Sequence, residues 1–164
     1  MLKELLSNKK SIIIEKWIRS VADSYPVETS KFLRQQKNRF SNPVGYSISS
    51  SAENLFDGLL SGNDLENVKE ALSGIIKIRA VQEFSPSQAV GFIFLLKKII
   101  RDELSREINT ENYINELLEI ETAIDGMALT AFDLYMDSRE KLFQIRVKEF
   151  KARLLFNEMN GAVE

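Results

Sequence analysis

Apolar and polar positions alternate with the period of a helix along nearly the whole chain. Leu5, Ile12, Ile13, Trp17 and Val21 recur at helical steps with charges between them, which predicts an amphipathic helix over residues 2–23. Tyr25-Pro26 stops it, because the residue before a proline is pushed out of the helical region. Residues 27–40 carry Phe32, Leu33 and Phe40 and read as a short helix or turn. Asn42-Pro43 opens the next helix, a cap followed by a preset φ. It runs through Ile48, Leu55, Phe56 and Leu59 to a left-handed stop at Ser61-Gly62. Asn63 and Glu66 have the spacing of a capping box for a helix over Leu65, Val68, Leu72, Ile75 and Ile78.

Residues 78–104 read as the stretch on which the rest is built. Ser85, Pro86 and Gln88 write a helix start: a cap, a proline at the first helical position and a capping-box glutamine. From Ala89 to Leu96 no residue is polar, which predicts a helix buried on all sides. Asn109-Thr110 then opens a long helix reaching about Glu158, with a possible bend near Asp137-Ser138. Its positions Ala131, Tyr135, Leu142 and Ile145 follow a seam-like spacing, and Phe143, Val147, Phe150 and Leu154 make a second apolar row beside it. One row packs on the chain's own core, and the second needs another surface.

No segment alternates with period two, so the expectation is an all-α fold. It is a single domain over residues 1–164 with six to seven helices, a helical core at 1–136 and an exit or dimerisation helix at 137–160. Gly45, Gly58, Gly74, Gly91 and Gly126 fall inside predicted helices. Each costs about 1 kcal/mol relative to alanine, so the set suggests close helix crossings, with Gly91 against Gly58 or Gly74 the first pair to consider.

Composition narrows the chemistry. The 164 residues are 44% hydrophobic and 28% charged, ordinary for one globular domain. A net charge of −2 argues against a dedicated nucleic-acid binder, and the local basic group Lys31, Arg34, Lys37 and Arg39 reads as a solvated surface. No apolar run approaches the roughly twenty residues of a membrane span, and charges at helical spacing interrupt the N-terminus where a signal peptide would need an apolar stretch. The expectation is a cytoplasmic protein. With no Cys and no His, thiolate catalysis, Cys-ligated metals, the usual haem ligand and the commonest general base are absent. Carboxylate pairs such as Glu116 and Glu119, or Glu103 and Glu107, lack the histidine of a di-iron motif and read as solvated helix faces. The expectation is no enzyme, no metal and no cofactor.

Three groups of residues stand out. Arg79 and Gln82 lie on a strongly apolar segment, and a buried arginine needs a partner, for which Asp57 is the candidate. This would be a structural ion pair or an effector contact. Tyr135, Leu142, Phe143, Ile145, Val147, Phe150 and Leu154 form the candidate interface for a second copy or a partner. Phe92, Phe94, Met127 and Phe132 are candidates to line an apolar ligand pocket.

Residues 32–48 (FLRQQKNRFSNPVGYSI), 55–60 (LFDGLL) and 78–104 (IRAVQEFSPSQAVGFIFLLKKIIRDEL) closely resemble the N-terminal domain of RsbRD-type RsbT co-antagonist proteins. The flanking helices, including SREKLFQIRV at 138–147, match in pattern. The resemblance implies a sensory or regulatory module of bacterial stress-response signalling, of a kind that precedes a STAS domain or a histidine-kinase core. It further implies a globin-like helical arrangement without haem, and an exit helix that acts as signalling connector. The phosphorylatable residue of the co-antagonist belongs to the STAS domain, and none follows Glu164 here, so the expectation is a free-standing module. Its expected partners are a second copy of itself and a signalling protein such as a kinase or a STAS-domain protein. The alternatives are an apolar small-molecule receptor or an accessory subunit of a metabolic or redox complex.

Overall fold

Two of the helix starts form as their side chains dictate. Asn42 accepts from the Gly45 backbone N–H at 2.8 Å, and Ser85 and Gln88 exchange the reciprocal bonds of a capping box. The computed structural model describes residues 2–35, 38, 40–62, 65–110 and 113–161, without the side chains of Gln35, Asn109 and Thr110. Among these residues the chain forms nine helices and no strand. They are α1 (Leu2–Asn8), α2 (Lys10–Asp23), α3 (Val27–Gln35), α4 (Pro43–Ser61), α5 (Leu65–Val81), α6 (Pro86–Val90), α7 (Phe92–Glu103), α8 (Ser105–Thr110) and α9 (Ile114–Gly161). The all-α expectation holds. The capping box at Asn63, and Lys37 and Arg39 of the basic group, lie outside the described residues.

Nine helices replace six or seven because two expected helices are interrupted and a short one is inserted. Lys9 leaves helical geometry (φ −100°, ψ 8°) and its ammonium reaches the Glu107 carboxylate at 2.8 Å. Residues 2–23 therefore break into α1 and α2, and Leu2 and Leu6 turn inward to full burial. At Gly91 the helix over 86–103 is interrupted, and the indole N–H of buried Trp17 donates to the Phe92 carbonyl at 2.8 Å. Asn109-Thr110 ends α8 rather than opening the long helix, which starts at Ile114 and runs unbroken through Asp137-Ser138.

The organising helix is α5. It packs most extensively on α4 and α9, with α2 and α7 completing the body. Leu72, Ile75, Ile76 and Ala80 of α5 are wholly or almost wholly buried against Leu55 and Phe56 of α4 and Ile124 and Ala131 of α9. The predicted all-round burial of residues 89–96 is not observed: Phe94 and Leu95 are 48% and 43% exposed. α7 lies at the edge of the body, tied to α9 by the pairs Arg101–Glu121 and Lys97–Asp125, both at 2.5 Å. The close glycine crossing exists between other partners. A Cβ on Gly58 would stand 2.3 Å from Val68 Cγ2, and one on Gly74 3.2 Å from Ser51 Oγ, so both serve the α4–α5 contact. Gly91 faces neither; its Cβ would meet its own Ser87 carbonyl.

The last buried residue of α9 is Tyr135. Beyond it the helix departs from the body, and from Lys148 to Gly161 every residue is exposed. At about 1.5 Å per residue, α9 is about 72 Å long.

Candidate functional site: a caged arginine at the root of the exit helix

Arg79, in the last turn of α5, has no solvent-exposed surface. Its Nη1 donates to the Gln88 carbonyl at 2.9 Å and its Nη2 to Ser24 Oγ at 2.7 Å. Three aromatic rings enclose the guanidinium: Phe84 at 4.7 Å, Phe92 at 5.0 Å and Tyr25 at 5.4 Å from their centroids. Tyr25 and Phe84 meet edge to face at 5.2 Å, and Phe92 stacks on Trp17. Among the described residues no carboxylate pairs with Arg79, and its buried Nε has no hydrogen-bond partner. Cation–π attraction and two carbonyl or hydroxyl acceptors hold a charge that would normally require an anion. Burial lowers the Arg79 pKa, with Tyr25 opposing, but an arginine keeps its proton. Burial also raises the Tyr25 pKa, against the pull of Arg79, so its phenol stays neutral and donates to Gln82 Oε1 at 2.8 Å.

The chain leaves α5 through a left-handed cap. Glu83 has φ +62°, Phe84 N–H bonds back to the Arg79 carbonyl, and Glu83 N–H to the Ala80 carbonyl. This is the paired bonding of a Schellman turn, with glutamate where glycine is usual. α9 grips the turn from outside. Tyr135 donates its hydroxyl to the Phe84 carbonyl, Arg139 Nη1 donates to the Ala80 carbonyl at 3.1 Å, and Arg146 reaches Glu83 at 3.5 Å. One turn thus touches the cage on its inner side and the root of α9 on its outer side.

Arg79 and Gln82 are brought together through Tyr25, but Asp57 is not part of the site. It is exposed and pairs with Lys10 at 2.5 Å, so the expected Arg79–Asp57 ion pair is absent. The four pocket candidates do not converge. Phe92 belongs to the cage, Met127 is buried in the core, and Phe94 and Phe132 are nearly half exposed. A groove of about 880 Å³ lies elsewhere, between α2, α3 and α4, beside Ile14, Leu33 and Tyr46. Of the interface candidates, Tyr135 faces the body, and Leu142 and Val147 are half-buried. Phe143, Ile145, Phe150 and Leu154 are 65%, 52%, 63% and 47% exposed. Sequence reasoning missed Ser24, Tyr25 and Phe84. Tyr25-Pro26 signalled only a helix stop, and nothing local reveals that the tyrosine folds back over α5.

The cage residues are held by packing and hydrogen bonds, and they form no nucleophile–base pair among themselves. Among the described residues no cluster of acidic side chains could hold a metal, and no helix is long and apolar enough to cross a membrane. Fold and site define an all-α module whose core is joined directly to a long projecting helix. The family model described as the RsbT co-antagonist protein rsbRD N-terminal domain matches residues 12–149. The chain belongs to that family, which makes it a regulatory domain of stress-response signalling. It is also similar to an uncharacterized protein of Archaeoglobus fulgidus, 26% identical over 149 residues, covering 87% of this chain and 85% of the relative. No solved structure matches.

Proposed function

We propose that the protein is a non-enzymatic, cytoplasmic sensory or regulatory module that works by protein–protein contact through α9, first with a second copy of itself. The observation that carries this reading is the exposed apolar surface of α9 beyond the body, where Phe143, Phe150, Leu154 and Phe156 stand in solvent. Isolated apolar residues on a surface are ordinary, but a row of large ones on a projecting helix marks an interface. The dimer then presents its paired helices to a signalling protein such as a kinase or a STAS-domain protein. The Schellman turn is the element through which a change at the Arg79 cage would reach α9. The receptor reading gains no comparable support, because the residues expected to line a pocket do not come together.

The test is sedimentation equilibrium of the full chain beside the double variant Phe143→Glu, Phe150→Glu. The wild type is expected to be a dimer and the variant a monomer of unchanged helicity. A wild-type monomer at micromolar concentration would overturn the reading.

A further inference from the structure

Large exposed residues on α9 are not confined to its free end. Leu118, Leu129, Met136, Phe143 and Phe150 are all at least half exposed. They are spaced by eleven and then by seven residues, and at about 100° per residue they fall within about 40° of one line. The stripe therefore runs the whole helix, on the side away from buried Ile124 and Met127. The antiparallel register of α7, fixed by Arg101–Glu121 and Lys97–Asp125, brings exposed Phe94 level with this stripe near Leu129.

Charge is segregated along the same helix. Residues 114–137 carry six carboxylates and no lysine or arginine. Of these, Glu121 and Asp125 pair with Arg101 and Lys97 of α7, and Asp137 pairs with Lys141. Residues 138–161 carry six cations against three carboxylates. Two such helices side by side in parallel would set acid against acid and base against base. Reversed, each cationic free end lies along the acidic, body-bound half of its mate, with Asp133 facing Lys148 and Lys151. The lengths also agree, since about 22 residues precede and include Tyr135 and about 26 follow it.

Resting on the dimer reading above, we infer that two copies pair through α9 in antiparallel orientation, centred near Glu140. Each projecting half covers the exposed stripe on the other copy's body, with Phe150 over Leu129 and Phe143 over Met136. This arrangement gives the apolar surface at Leu118, Leu129 and Phe94 an occupant of matching length and opposite charge.

The chain has no cysteine, so single spin labels can be placed without other changes. Ala123→Cys and Asn157→Cys replace exposed, uncharged residues. In the antiparallel dimer each variant alone gives an inter-label distance of about 50 Å, and a distance below about 25 Å appears only when the two are mixed. Parallel pairing reverses the result, with short distances in each variant alone and about 50 Å in the mixture, and would overturn the orientation while leaving the dimer intact. No dipolar signal in either, with a monomer by sedimentation, would overturn the orientation and the dimer together.

Discussion

Tyr135 of α9 donates its hydroxyl to the main-chain carbonyl of Phe84, whose ring lies 4.7 Å from the Arg79 guanidinium. A single residue thus separates the root of the projecting helix from the buried charge. Tyr135→Phe keeps the packing and deletes the bond, leaving a part-buried carbonyl without its donor. The expected loss is about 1–2 kcal/mol in urea denaturation. Amide exchange at Gln82–Ser85 should rise more than exchange in the middle of α5. Equal acceleration throughout α5 would refute a local latch.

Arg79 is a stability determinant through volume and enclosure as much as through charge. Arg79→Ala opens a cavity among Tyr25, Phe84 and Phe92 and strands Gln82's tyrosine partner on an empty side. A loss of about 3–5 kcal/mol is expected. Arg79→Met refills much of the space without a buried charge. Because the cation has no anion, the methionine variant should recover about 2 kcal/mol of that loss. A methionine variant as unstable as the alanine one would show that the Ser24 and Gln88 bonds, rather than filling, hold the cage.

Glu83 occupies a left-handed position (φ +62°) that glycine adopts without steric cost. Its bond to Arg146 is long and exposed, and such pairs contribute little. Glu83→Gly should therefore raise stability by up to about 1 kcal/mol, read as a higher denaturation midpoint at unchanged slope. A decrease would mean that the Arg146 contact, weak by geometry, orders the turn after all.

Much of the fold can be read locally, because its signals are local. Asn42-Pro43, Ser61-Gly62 and Ser85-Pro86 act through their own neighbours, and α4 begins and ends where they place it. The site is legible only in part. Arg79 attracts notice because its neighbours are apolar, yet its acceptors come from 55 and 9 residues away and are a hydroxyl and a carbonyl. A search for a carboxylate, the usual partner of buried arginine, selects Asp57 instead. The run from Ala89 to Leu96 misleads for a related reason. An apolar sequence signals that a surface will be covered, not that the same chain covers it, and Phe94 and Leu95 remain open.

Glu121 links that edge to α9 and gives the domain an acid-sensitive joint. Its carboxylate is buried and takes two bonds from Arg101, at 2.5 and 2.7 Å. The Arg101 hydrogen bond holds its pKa below the usual carboxylate value, with desolvation opposing. Glu107, bonded by Lys9, is shifted in the same direction. A depressed folded-state pKa means stability that is present above the unfolded value, about 4.3 for glutamate, and lost as pH falls through the lower folded value. Wild-type stability should thus decline as pH drops from about 4.5. Glu121→Gln should be less stable at neutral pH and follow a shallower acid limb, with the remaining slope owed to Glu107 and other carboxylates. Parallel acid limbs for the two proteins in pH-dependent urea denaturation would show that the Arg101–Glu121 bridge contributes nothing in solution.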